Sequence, residues 1–252
     1  MRVLRNFSLI IYTIFFVVIS FNSAFAWRES DLPYHVFTIG GSSSDGELNN
    51  PSGVAIDSQG NVYVSDTFNH RVQKFDSSGN FVMKFGEYGM GDGQFSSNSG
   101  ITVDSLGNIY VADSSNNRIQ KFDSTGNFIL KFGTKGSANG QFSFPNDLAV
   151  SSNGDIYVTD SFNSRIQKFN SLGEYQSSFG SKGTGDLQFT YQLGIFVDTN
   201  DNIYISDTYN HRIKKYDSSG NLLLKFGSNG SNDGNFTYPK GLYVDSGGNI
   251  YV

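Results

Sequence analysis

The sequence predicts an all-β chain, a β-propeller of four-stranded antiparallel blades, and three observations carry that reading. A 47-residue segment recurs without insertion or deletion, so that Asp66, Asp113, Asp160 and Asp207 fall in one column, Arg71, Arg118, Arg165 and Arg212 in a second, and Phe85, Phe132, Phe179 and Phe226 in a third. Each copy holds four short runs rich in β-branched and aromatic residues, and none shows a helical period. Glycine-bearing turns separate the runs. One unit of this size cannot bury its own apolar face, so the copies must pack on one another. Four-stranded units joined by tight turns do this most simply as blades around an axis.

In chain order, residues 1–26 read as a secretory signal peptide: Arg2 and Arg5 precede an apolar run from Phe7 to Phe21, and Ala24-Phe25-Ala26 offers small residues for cleavage before Trp27. The alternative is an uncleaved signal anchor, since the run is long enough to span a bilayer. A short linker, 27–34, leads into the propeller array at 35–252. Full repeats occupy 51–97, 98–144, 145–191 and 192–238, flanked by partial copies at 35–50 and 239–252. In the first partial copy, His35 to Gly40 matches only the last strand of a repeat, and Asp45-Gly46-Glu47-Leu48 matches the loop that follows it. That strand is expected to complete the C-terminal blade. An open arc would leave two apolar blade faces bare, so the chain reads as a piece of a longer one, about five blades with the last truncated.

Within the copy that starts at Pro51, the order is PSGVAID, SQG, NVYVSD, TFNH, RVQKF, DSSGN, FVMKFG and a loop, EYGMGDGQFSSN. Val62-Tyr63-Val64 and Ile109-Tyr110-Val111 are apolar on consecutive positions, which predicts strands covered on both faces. The tight turns carry Gly60, Gly107, Gly154 and Gly248 at one site and Gly79, Gly126, Gly173 and Gly220 at the other, with Asp201 in place of glycine once. A left-handed backbone suits these residues.

The string DTFNHRVQKFDSSGNFVMKFG and its copies DSSNNRIQKFDSTGNFILKFG, DSFNSRIQKFNSLGEYQSSFG and DTYNHRIKKYDSSGNLLLKFG resemble the NHL repeat over about 200 residues in register. The resemblance implies a propeller, six-bladed when complete, and no particular activity. WD40 repeats are a poor match, because Trp27 is the chain's one tryptophan.

Removal of Arg2 and Arg5 with the leader leaves 16 basic against 23 acidic residues, a net charge of about −7. This disfavours nucleic acid as a partner, including the RNA that some NHL-like proteins bind. The chain has no cysteine, so disulfides, thiolate ligands and cysteine nucleophiles are excluded. No G-x-S-x-G, H-E-x-x-H or phosphate loop occurs. Asp198-Thr199-Asn200-Asp201-Asn202 imitates half an EF-hand loop, but Ile203 and Tyr209 stand where glycine and glutamate are needed, so it reads as a turn. Asn229 and Asn235 head glycosylation sequons of the kind that an Asn-, Gly- and Ser-rich chain produces by chance.

Columns filled alike in every copy read as scaffold. Asp66, Asp113, Asp160 and Asp207 are expected to accept backbone N–H groups of the turn that follows, and Arg71, Arg118, Arg165 and Arg212 to offer a fork to those carboxylates. Broken columns point to function. Connections alternate between the two ends of a blade, so the Thr67–His70 turns and the loops from Glu87 to Asn98 share one face. Phe68, His70, Tyr88, Lys135, Phe162, Lys182, Tyr209 and His211 vary there and form the candidate ligand-binding set. Some NHL-like lyases hold zinc with histidines, and the His70 position is similar to a ligand position there. Zinc needs three or four ligands, however, and only His35, outside the repeats, joins His70 and His211; no metal or cofactor is expected. The reading is an exported, non-enzymatic binding or scaffold propeller for a protein, peptide or glycan, without a membrane span once the signal is cleaved. The alternative is an extracellular metal-dependent lyase or lactonase-like enzyme.

Overall fold

The computed structural model describes residues 44–252 and, in addition, the short parallel pair Val18–Ile19 with Thr38–Ile39. The expected signal peptide, the linker and, apart from that pair, the His35–Gly40 strand lie outside the described residues. Four blades follow. The strands are Gly53–Ile56, Val62–Asp66, Arg71–Phe75 and Phe81–Phe85 in the first blade and Asn98–Val103, Ile109–Asp113, Arg118–Phe122 and Phe128–Phe132 in the second. The third has Pro145–Val150, Ile156–Asp160, Arg165–Phe169 and Tyr175–Phe179, and the fourth Ile195–Val197, Ile203–Asp207, Arg212–Tyr216 and Leu222–Phe226. Each sheet is antiparallel with its strands in chain order. A final hairpin pairs Tyr243–Val244 with Ile250–Tyr251. First strands of successive blades touch one another, so they line the inner side of the array and fourth strands lie outermost.

The second strand of every blade is buried along its whole length, as consecutive apolar positions require. Its neighbours are other blades. One core joins Tyr110, Ala112 and Ile119 of the second blade to Leu148, Ile156, Val158 and Phe169 of the third. Equivalent cores unite the first blade with the second and the third with the fourth. A loop aromatic wedges each junction: Phe95, Phe142 and Phe189 are fully buried, with ring centroids 5.7, 5.4 and 6.0 Å from Phe122, Phe169 and Tyr216. The glycine before each loop is needed for this wedge. A Cβ at Gly86 would lie 2.5 Å from the Phe95 ring, and its φ is +96°.

The turns behave as their sequences dictate. Asp57 Oδ1 accepts the N–H groups of Gln59 and Asn61, and Gly60 adopts φ +82°. Asp198 does the same for Asn200 and Asn202 and also accepts the Tyr204 hydroxyl, so the EF-hand-like segment is such a turn. Among the described residues no helix is long and apolar enough to cross a membrane.

Candidate functional site

The loop face is held by one buried network per blade. The second and third strands place Asp66 directly opposite Arg71, and a single 3-10 turn, Thr67–Asn69, connects them. Asp66 is fully buried and accepts Arg71 Nε at 2.7 Å, Asn69 Nδ2 at 2.9 Å and Gln73 Nε2 at 3.0 Å. Its backbone donor differs from the sequence expectation. That donor is Asn49 N–H, in the loop before the blade, whereas the turn that follows contributes only the Asn69 side chain. The physical reason is direction: the carboxylate points sideways toward the incoming loop, whose donors have no strand partner. The same correction holds at Asp113, Asp160 and Asp207, which accept Ser96, Ser143 and Thr190 N–H. The arginine fork is present as expected, and its far end holds loop carbonyls, as Arg118 does with Met90, Gly91 and Gln94.

On this foundation lies a row of aromatic rings. Phe144 stacks on Phe162 at 5.2 Å between centroids, Phe162 meets Tyr191 at 5.3 Å, Tyr191 meets Tyr209 at 5.0 Å, and Tyr209 meets Tyr238 at 5.3 Å. His211 closes the row against Tyr238 at 4.7 Å and accepts its N–H through Nδ1 at 3.3 Å. The row runs across the junctions of the third and fourth blades. Phe162, Tyr209 and Tyr238 remain 60, 53 and 51 % exposed. Three of the five rings also sit on left-handed backbone, with φ +57° at Phe144 and +54° at Tyr191 and Tyr238. Bulky residues adopt this region at a cost of about 1–3 kcal/mol, and such outliers gather at ligand sites. Burial and the nearby Tyr209 hold the Tyr191 phenol above its ordinary pKa, so it stays a neutral donor.

Beside the row an open depression of about 430 Å³ is lined by Asn146, Tyr191, Leu193, Thr208, Tyr209, Tyr238 and Lys240. Of the sequence-derived set, Phe162, Tyr209 and His211 therefore come together here. Phe68 is exposed apart from the row, and His70 pairs instead with Tyr88 at 4.9 Å. Ser97 and Ser115, the second blade's counterparts of Tyr191 and Phe162, interrupt the tape between the two groups. Lys135 and Lys182 are exposed in the loops that correspond to Tyr88. Sequence reasoning missed Phe144, Tyr191, Tyr238, Asn146 and Lys240; the recurrence of aromatics at one loop position was the available signal. No cluster of three or more His, Cys, Asp or Glu side chains among the described residues could hold a metal.

A family model for the NHL repeat matches residues 48–75, 98–122, 142–169 and 193–216, the strands and turns that carry the Asp–Arg network. The chain carries four NHL repeats. The RING finger protein nhl-1 of Caenorhabditis elegans is 48 % identical over 65 residues, 26 % of this chain and 7 % of that protein. Protein brain tumor of Drosophila melanogaster is 49 % identical over 45 residues, 18 % of this chain and 4 % of that one. The NHL chain thus spans a small part of these relatives. Among solved structures, a streptogramin B lyase superposes with a TM-score of 0.60 at 20 % identity, covering 79 % of this chain and 60 % of the lyase. A nidogen/laminin complex matches at TM-score 0.55 and 19 % identity, over 71 % of this chain and 64 % of that one. At these identities the likeness speaks for the fold alone.

Proposed function

We propose that this NHL chain is an exported, non-enzymatic binding propeller whose loop face receives a protein, peptide or glycan. The observation that carries the reading is the aromatic row. Five rings lie in contact, three of them on strained backbone, and Phe162, Tyr209 and Tyr238 stay more than half exposed, whereas the aromatics that wedge the blade junctions, Phe95, Phe142 and Phe189, are fully buried. A fold under stability selection alone would place tolerant residues such as Asn50 at those left-handed positions. Exposed Tyr and Phe on a rigid base are instead the composition of binding surfaces. Export rests on the signal-like leader.

Ligand capture by the purified chain, with Phe162→Ala and Tyr209→Ala as variants, tests the reading. Binding should persist in chelator and fall about tenfold or more in the double variant, at unchanged thermal stability. Binding unaffected by both substitutions would remove the loop face from consideration. A second reading, an extracellular metal-dependent lyase or lactonase-like enzyme, draws on the fold it shares with the streptogramin B lyase. Stoichiometric metal in the purified protein, with turnover lost on chelation, would favour it.

A further inference from the structure

Charge is distributed unevenly among the cations. Every arginine among the described residues is bound to the buried carboxylate of its blade. Lys74, Lys84, Lys131, Lys168, Lys214, Lys215 and Lys225 each pair with an aspartate, and Lys121 lies over the Tyr110 ring and donates to Ser171 O. Among the described residues Lys135, Lys182 and Lys240 are the lysines without such a partner, and all three are exposed on the loop face. Lys240 borders the depression with Tyr209 and Tyr238. Lys135 and Lys182 occupy the loop position whose counterpart Tyr88 packs on His70, one column outward from the ring row. The tape therefore has a cation on its inner rim and two along its outer rim.

Among the described residues the hydroxyls of Tyr191, Tyr209 and Tyr238 likewise have no hydrogen-bond partner, whereas those of Tyr63, Tyr110, Tyr204 and Tyr216 are satisfied within the protein. Aromatic ring faces and free phenol donors, with one ammonium group bordering the depression and two more in the neighbouring loops, match one chemistry. Resting on the loop-face reading, we propose that the tape binds a carboxylated glycan, a chain of uronate-type sugars whose ring C–H faces lie on the aromatics and whose carboxylates meet Lys135, Lys182 and Lys240. A peptide is the weaker fit. Lysine is depleted at protein–protein contact cores.

Calorimetry of the full chain with short oligogalacturonates, with the matching carboxyl-reduced neutral oligosaccharides and with polyglutamate tests the inference. The uronate should bind, weaken as salt rises, and lose about tenfold in the Lys135→Gln/Lys182→Gln/Lys240→Gln variant with its salt dependence flattened. The neutral sugar should bind about tenfold more weakly. Equal binding of the neutral sugar, or polyglutamate binding as tightly at the same lysines, overturns it. If uronate fails while another ligand is lost on Phe162→Ala and Tyr209→Ala, the glycan assignment falls and the loop face stands; uronate binding indifferent to those two substitutions sinks both.

Discussion

Asp147 stands on the first strand of the third blade where the other copies have Gly53, Gly100, Gly194 and Gly241. Its carboxylate fills the space over Gly100, where an added Cβ would lie 2.2 Å from Oδ1, and it reaches the next blade to accept Ile195 N–H at 3.0 Å. Burial pushes its pKa up to about 7, against the opposing pull of the Ile195 and Leu148 N–H groups. The folded chain then holds a proton that the unfolded chain releases near its ordinary value of 3.8. Stability contributed by this group is present at acid pH and declines as pH rises through the window between those values. Denaturation midpoints measured across that window should fall less steeply in Asp147→Asn than in the parent. An unchanged slope would assign the pH dependence elsewhere. Lys214 breaks a second column, replacing the glutamines at 73, 120 and 167. Fully buried, it donates to the Gly185, Asp186 and Gln188 carbonyls at 2.9, 2.9 and 2.6 Å and pairs with Asp207 at 3.5 Å. Burial lowers its pKa to about 8 despite Asp207. Lys214→Met, which strands that carboxylate beside Arg212 with fewer donors, should cost about 3 kcal/mol. Lys214→Gln restores the pattern of the other blades and should stay within about 1 kcal/mol by urea denaturation.

At the scale of the blade, the repeated parts differ in how much they hold. The Lys131–Asp92 pair bridges the fourth strand of one blade to the preceding loop at 2.5 Å, and Lys84–Asp45 and Lys225–Asp186 repeat it. The third blade has Ser178 and Asn139 at those positions, both partners changed together. Both ends of each pair are roughly half exposed, so Lys131→Ser with Asp92→Asn should shift stability by less than about 1 kcal/mol. The buried Asp113 is a different case, since Asp113→Ala removes the one carboxylate shared by Arg118 Nε, Asn116, Gln120 and Ser96 N–H and leaves the Arg118 charge buried without its counter-ion. A loss of about 3–5 kcal/mol is expected in chemical denaturation. Glycines divide in the same way. Gly93 has φ +76° with open space around it, so Gly93→Ala should cost about 1 kcal/mol. Gly126→Ala adds a Cβ 2.7 Å from Phe85 at φ +83° and should cost about 2–3 kcal/mol by the same assay.

Across the whole molecule, the repeat period made the blades legible because an uninterrupted spacing converts each column into a structural position. The site was legible in part. Phe162, Tyr209 and His211 show as broken columns, but Phe144, Tyr191 and Tyr238 share theirs with Asn50 and Ser97, and nothing in spacing alone says that this position is left-handed and beside the next ring. The direction of the Asp66 carboxylate was hidden for a similar reason, since its partner Asn49 belongs to a neighbouring unit. The cores are shared in the same way, each made by two blades with a loop phenylalanine between them. Stability should then propagate between nearest neighbours, as in other repeat arrays. Phe142→Ala empties the wedge between the second and third blades and should cost about 3–5 kcal/mol. Amide exchange should rise in both of those blades while the second strand of the fourth blade, Ile203–Asp207, stays protected by its own core with the third through Phe189 and Tyr216. Equal loss of protection in all blades would mean that the array opens as one unit and that the nearest-neighbour description fails.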